Sequence, residues 1–180
     1  KTAANIASSG KKVEPVELKL HKTPNYYPIE TAWEKVGVEQ KIPYLQKIND
    51  KVFGLDKRVI KATVWFGNET SLAMIATSEG RIVFDNQPMT HIFTSCTAEQ
   101  NGRREQNYSI LSGRRGIEFF TPENIDFLAN EAVRRTVVLF EAVKPSPGEM
   151  EVVLAAGKSG IVRHEAIGRG MEGEFEGRKV

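Results

Sequence analysis

The chain has 180 residues, 40% of them hydrophobic and 27% charged, with a net charge of +2 and a single cysteine, Cys96. That length suits one domain of ordinary size or a little more, and the composition is that of a soluble globular protein. A charge so near zero gives no reason to expect nucleic acid or an anionic membrane as partner, and no apolar run approaches the roughly 20 residues that cross a bilayer. One cysteine excludes an intrachain disulfide and fits a reducing compartment, so the expected location is cytoplasmic.

In chain order, residues 1–37 are uneven. A short helix is possible at 2–7. Pro15, Pro24 and Pro28, with Tyr26, Tyr27 and Trp33, suggest an extended linker lying on another surface. A helix is expected at about 39–53, where Ile42, Leu45, Ile48 and Val52 recur at helical spacing, with Pro43 in its first turn and Gly54 as its stop. The period then changes to two. Strands are expected at 59–66, ending at Gly67-Asn68, and at 71–77 and 81–85 around a Ser78-Glu79-Gly80 hairpin. Two more follow at 90–98 and 104–111, joined by the turn dipeptide Asn101-Gly102.

The second helix is the clearest element. Thr121 is its N-cap, Pro122 occupies the first helical position, and Glu123 favours the positive helix end. Ile125, Leu128, Ala132, Val133, Thr136, Leu139 and Phe140 form its apolar stripe, and Pro145-Ser146-Pro147-Gly148 ends it. A short buried-type strand is expected at 149–155, then a loop at 156–160 leading into a helix that begins with His164-Glu165. The fold class is therefore α+β. An antiparallel meander of four or five strands packs with two main helices, and a strand-loop-helix carrying the His-Glu pair follows.

Several features invite a chemical reading. Gly157-Lys158-Ser159 is half a phosphate-binding loop, but the glycine such a loop needs five residues earlier is Val152. An ordinary strand-to-helix turn suffices, and no nucleotide binding is expected. The arginine pairs Arg103-Arg104, Arg114-Arg115 and Arg134-Arg135 read as solvated turns and a solvated helix face. Cys96 reads as a buried small hydrophobe, and His21 and His91 as surface or turn residues. Asn68-Glu69-Thr70 and Asn107-Tyr108-Ser109 match glycosylation sequons, with nothing else to suggest secretion.

His164-Glu165 differs in kind. A neutral imidazole is a good zinc ligand, and an adjacent glutamate can take a proton from metal-bound water. Four residues on, where a common zinc motif places its second histidine, stands Gly168; five on stands Arg169. Five residues is about 140° around a regular helix, so a ligand there needs a widened turn. Arg169 itself has no free lone pair to give a metal. Judged by composition alone, a His-Glu pair is more often a surface or capping feature.

The stretch Gly148-Glu149-Met150-Glu151-Val152-Val153-Leu154, then Gly157, Gly160 and His164-Glu165-Ala166-Ile167-Gly168, then Gly170-Met171-Glu172-Gly173-Glu174-Phe175, resembles the TldD branch of the TldD/PmbA metallopeptidases. Asn101-Gly102-Arg103-Arg104-Glu105, the 113–119 segment, and Glu131-Ala132-Val133-Arg134 through Glu141-Ala142-Val143 fit the same family, which the chain resembles over roughly residues 38–180. The resemblance implies a His-Glu-x-x-x-His motif. His164 takes the metal-ligand position and Glu165 the position of the catalytic base. Arg169 stands at the second ligand position, and the third ligand, a cysteine, lies beyond Val180. It also implies Zn²⁺ in the full-length protein, a peptide substrate, and a PmbA-like or self subunit as dimer partner, in a family named for modulation of DNA gyrase.

On this basis residues 1–37 are the linker, 38–147 a central α+β domain, and 148–180 the start of a truncated C-terminal metallopeptidase domain. The opening Lys1 and the glycine-rich end, with seven of the fifteen glycines from Gly148 onward, read as an excerpt of something longer. Two functional expectations follow. One is a fragment of a zinc metallopeptidase acting on unstructured peptides, holding no metal and inactive as it stands. The other is a non-catalytic scaffold or partner subunit of the same kind of complex.

Overall fold

The computed structural model describes residues 8–10 and 16–173, so the helix expected at 2–7 lies outside the described residues. The chain forms two compact units, Lys1–Ala142 and Val143–Val180. Among the described residues the first unit is an α+β fold. It contains β1 (Lys19–Leu20), α1 (Val38–Leu55), β2 (Val59–Ala76), β3 (Arg81–Gln100), β4 (Arg103–Gly113) and α2 (Pro122–Val137). Its sheet is mixed. β3 pairs antiparallel with β2 on one side and β4 on the other, and the two-residue β1 pairs parallel with Arg81 and Ile82.

The strands are fewer and longer than the sequence suggests. The expected 59–66 and 71–77 are one strand, as are 81–85 and 90–98. Gly67-Asn68 makes no turn: it runs straight through, paired with His91 and Thr90. A dipeptide that turns when isolated stays extended when the residues on both sides are held in one ladder. Pro88 is tolerated inside β3 because β4 pairs only from Thr90 onward and β1 only as far as Ile82. The stretch between has a neighbour on one side, so a missing N–H costs no ladder bond there.

Both hairpin turns lie where expected. Asn101 and Gly102 take φ of 53° and 77°, the left-handed pair that a tight two-residue turn requires. Gly80 has φ 86°, and the Thr77 amide closes the other turn onto the Arg81 carbonyl at 2.9 Å.

The alternation of β3 decides where the core lies. Ile92, Thr94, Cys96 and Ala98 are all fully buried on one face. Both helices pack on that face. Ile48 and Val52 come from α1, and Ile125, Leu128, Ala129, Ala132 and Val133 from α2. Burying Ile48 or Leu128 completely is worth about 1.5–3 kcal/mol each. Of the expected α1 stripe, Ile42 is 44% exposed, while its neighbours Lys41 and Tyr44 reach Asn68 and Phe120. Gly54 does not stop the helix. α1 runs on to Leu55 and ends where Asp56 turns extended, its carboxylate accepting from the Arg58 amide at 2.9 Å and the Arg58 guanidinium at 2.6 Å. These donors hold the Asp56 carboxyl down at about 2.

Thr121 caps α2 as expected, its hydroxyl accepting from the Asn124 amide at 3.2 Å, and Pro122 opens the helix. Leu139 and Phe140 fall in a following 3₁₀ turn, Val138–Glu141. Trp33 and Val36, at the end of the expected linker, are buried, with the Trp33 ring 5.3 Å from Phe66.

In the second unit, residues 149–155 are not a strand. Val152, Val153 and Leu154 are 70%, 95% and 54% exposed, so a β-type sequence stands without a partner strand among the described residues. The elements described here are α3 (Ser159–Ala166) and a 3₁₀ turn, Gly168–Met171.

Candidate active site

The loop before α3 is shaped by Gly157, whose φ of 122° only glycine adopts readily, and the Ser159 hydroxyl donates back to the Ala155 carbonyl. α3 is short. His164 and Glu165 lie in its last turn rather than at its start. The helix breaks at Ile167 (φ −129°, ψ −49°), and the chain tightens into the 3₁₀ turn instead of widening.

This break decides what meets what. The Arg169 guanidinium donates to Glu165 Oε2 at 2.6 Å, so the residue at the expected second ligand position reaches the expected base, not the expected ligand. Both side chains are about half exposed, at 57% and 52%. His164 turns elsewhere. Its Nε2 lies 3.3 Å from Glu172 Oε1, and its side chain is 52% exposed. A cleft of about 300 Å³ lies beside His164, lined also by Gly160, Arg163, Ile167, Gly168 and Met171; Glu165 is not among its lining residues. Consecutive helical residues diverge by about 100°, which accounts for the separation. Gly168 gives the imidazole room, since a Cβ there would sit 3.3 Å from His164 Nδ1.

The donor set can be tested against zinc directly. A catalytic zinc takes three protein ligands and keeps one position open. Among the described residues no three His, Cys, Asp or Glu side chains are placed to share a metal ion. His164 offers one nitrogen, its nearest acidic neighbour is Glu172, and Glu165 is engaged by a cation. These residues by themselves do not fit the ion. Glu172 was not foreseen, because eight residues along a regular helix lie about 12 Å apart, too far for His164 to reach. The Glu165–Arg169 pair could have been, being the i, i+4 arrangement that lets opposite charges meet on a helix.

The other flagged residues resolve individually. Cys96 is fully buried, and burial pushes its thiol above the ordinary value. The His91 ring nitrogen Nδ1 lies 2.9 Å from the Ser112 hydroxyl, and the His21 backbone amide donates to the Ile82 carbonyl at 2.8 Å. Arg103 pairs with Glu105, Arg104 with Glu99, and Arg134 and Arg135 both with Glu131. Arg134, first among these partners, holds the Glu131 carboxyl down at about 2. No helix of the described residues is long and apolar enough to cross a membrane.

Comparison with known proteins places the first unit. Residues 32–140 match the model of the PmbA/TldA metallopeptidase central domain, a stretch that ends before α3. The chain is similar to a metalloprotease TldD homolog of Haemophilus influenzae, at 33% identity over 148 residues, covering 79% of this chain and 30% of the relative. It is also similar to the TldD homologs of Buchnera aphidicola from Acyrthosiphon pisum, at 30% identity over 149 residues (79% of this chain, 31% of the relative), and from Schizaphis graminum, at 28% over 146 residues (77% and 30%). The chain thus spans about 30% of the length of these curated relatives. With a central-domain match across most of its first unit and metalloprotease homologs aligned over most of its length, the chain belongs to the PmbA/TldD metallopeptidase family.

Proposed function

We propose that this chain is part of a TldD-type zinc metallopeptidase that hydrolyses unstructured peptides, with His164 at a metal-ligand position and Glu165 at the position of the base. What supports the reading is the membership of the family, together with the pair His164-Glu165 on one exposed helical turn and the cleft beside His164. In a complete site of this kind zinc supplies a polarised, acidified water. The third ligand would come from beyond Val180, and a PmbA-like subunit or a second copy would be the dimer partner. The chain by itself is inactive, because one imidazole is one ligand of three and Arg169 occupies the carboxylate that would accept the proton.

A second reading rests on that same ion pair. A cation at 2.6 Å from the base both repels a metal and occupies the carboxylate, as expected of a non-catalytic scaffold or partner subunit. The two are separated by assaying the whole protein, with Arg169 and as Arg169→His, on an unstructured peptide. Cleavage by the His version alone identifies a site silenced by Arg169. Cleavage by both versions overturns the ligand assignment. Cleavage by neither favours the scaffold.

A further inference from the structure

Of the three arginine pairs, two are neutralised by carboxylates. Among the described residues neither Arg114 nor Arg115 has an acidic partner, whereas Arg103, Arg104, Arg134 and Arg135 all do. Arg114 is partly buried and Arg115 is exposed. They line a cleft of about 560 Å³ together with Tyr26, Tyr27, Ser112 and Phe119. That size suits a small ligand.

The cleft is built. The Arg114 guanidinium carbon lies 4.4 Å from the centre of the Tyr27 ring, a cation–π contact that covers one side of the cation. A guanidinium held over a ring on one side keeps N–H donors for an acceptor on the other. The loop that carries the arginines is anchored by the Thr90 hydroxyl, which donates to the Arg115 carbonyl at 2.6 Å. Ser112 is held at the rim by its 2.9 Å contact with His91 Nδ1. The nearest carboxylate along this loop, Glu118, is turned inward. Its Oε1 accepts from the Gly116 amide at 2.7 Å, and its Oε2 is buried without a hydrogen-bond partner among the described residues.

We propose that this cleft binds a small oxyanion, a carboxylate or a phosphate, through the Arg114 guanidinium held over Tyr27, with Arg115 supplying the second positive charge. Charge-assisted bonds from arginine to such groups are short and strong, and a guanidinium already oriented by an aromatic ring loses little freedom on binding. The cleft lies wholly within the first unit and does not depend on the His164-Glu165 reading.

Calorimetric titration of the full chain with acetyl-trialanine as free acid, the same peptide as amide, and inorganic phosphate tests this. Binding of the free acid but not the amide assigns the site to a peptide carboxyl terminus, and binding of phosphate alone assigns it to a phosphate group. Either should weaken about ten-fold in Arg114→Gln and in Tyr27→Leu and stay unchanged in Arg134→Gln. A urea midpoint equal to the parent's shows that each variant is folded. If neither acid nor phosphate titrates, or if folded Arg114→Gln and Arg115→Gln bind as the parent does, the proposal is wrong.

Discussion

Thr136 is the buried polar residue on which the packing of α2 depends most visibly. Its hydroxyl lies 2.7 Å from the Ala132 carbonyl and 3.1 Å from the Cys96 carbonyl, and it accepts from the Asn107 amide at 3.1 Å. A hydroxyl has one proton, so the two carbonyls share it while a lone pair serves the amide. Thr136 thus joins α2 to β3 and β4 at one fully buried point. Thr136→Val keeps the shape and removes all three contacts. Leaving a buried amide unpaired costs about 1–3 kcal/mol, and the added methyl returns up to about 0.8 kcal/mol. With the full methyl return the expected net loss is about 0.2–2 kcal/mol. It would be read as a lower urea midpoint at unchanged slope and as faster hydrogen exchange at the Asn107 amide. A Val variant as stable as the parent, with the Asn107 amide equally protected, would refute the assignment.

Other consequences are equally specific. Glu131 is held at about 2 against an ordinary 4.5, so its ion pairs contribute fully above about pH 4.5 and fade as pH falls toward 2. Arg134 and Arg135 are 65% and 36% exposed, which limits the contribution to about 1 kcal/mol. The stability difference between parent and Glu131→Gln should therefore be present at pH 6 and shrink on acid titration; a difference that grows would oppose the pairing. Gly80→Ala and Gly102→Ala both force a side chain into positive φ, but only at Gly80 would the new Cβ meet backbone, 2.5 Å from the Glu17 carbonyl oxygen. Each should cost about 1 kcal/mol in strain, with Gly80→Ala costing clearly more and weakening protection of the Lys19 amide, which donates to the Gly80 carbonyl. Equal losses would count against the crowding. The Cys96 thiol, buried with its acidity suppressed, should resist a thiol reagent until urea unfolds the chain, and fast labelling of the native chain would contradict its placement.

What was legible in the sequence is what local chemistry decides. Thr121-Pro122 fixes the start of α2, and Asn101-Gly102 fixes a turn, because capping and left-handed geometry act over three or four residues. Gly67-Asn68 misled for the opposite reason. Its state is set by partners on β3 more than twenty residues away, which no local rule weighs. Residues 149–155 have a strand's composition, yet a strand exists only where another strand bonds it. At the site, the pairing of Glu165 with Arg169 follows from helical spacing. The contact of His164 with Glu172 depends on the break at Ile167 and has no counterpart in sequence periodicity. The family was recognisable from motifs spread over roughly residues 38–180, since glycines and charged residues in a fixed order carry more information than their periodicity does.

The most direct test is metal analysis of the 180-residue chain after dialysis against zinc. With one imidazole, a base engaged by Arg169 and no three-ligand cluster among the described residues, the chain should retain zinc well below one ion per molecule. One tightly held zinc per chain would contradict the account.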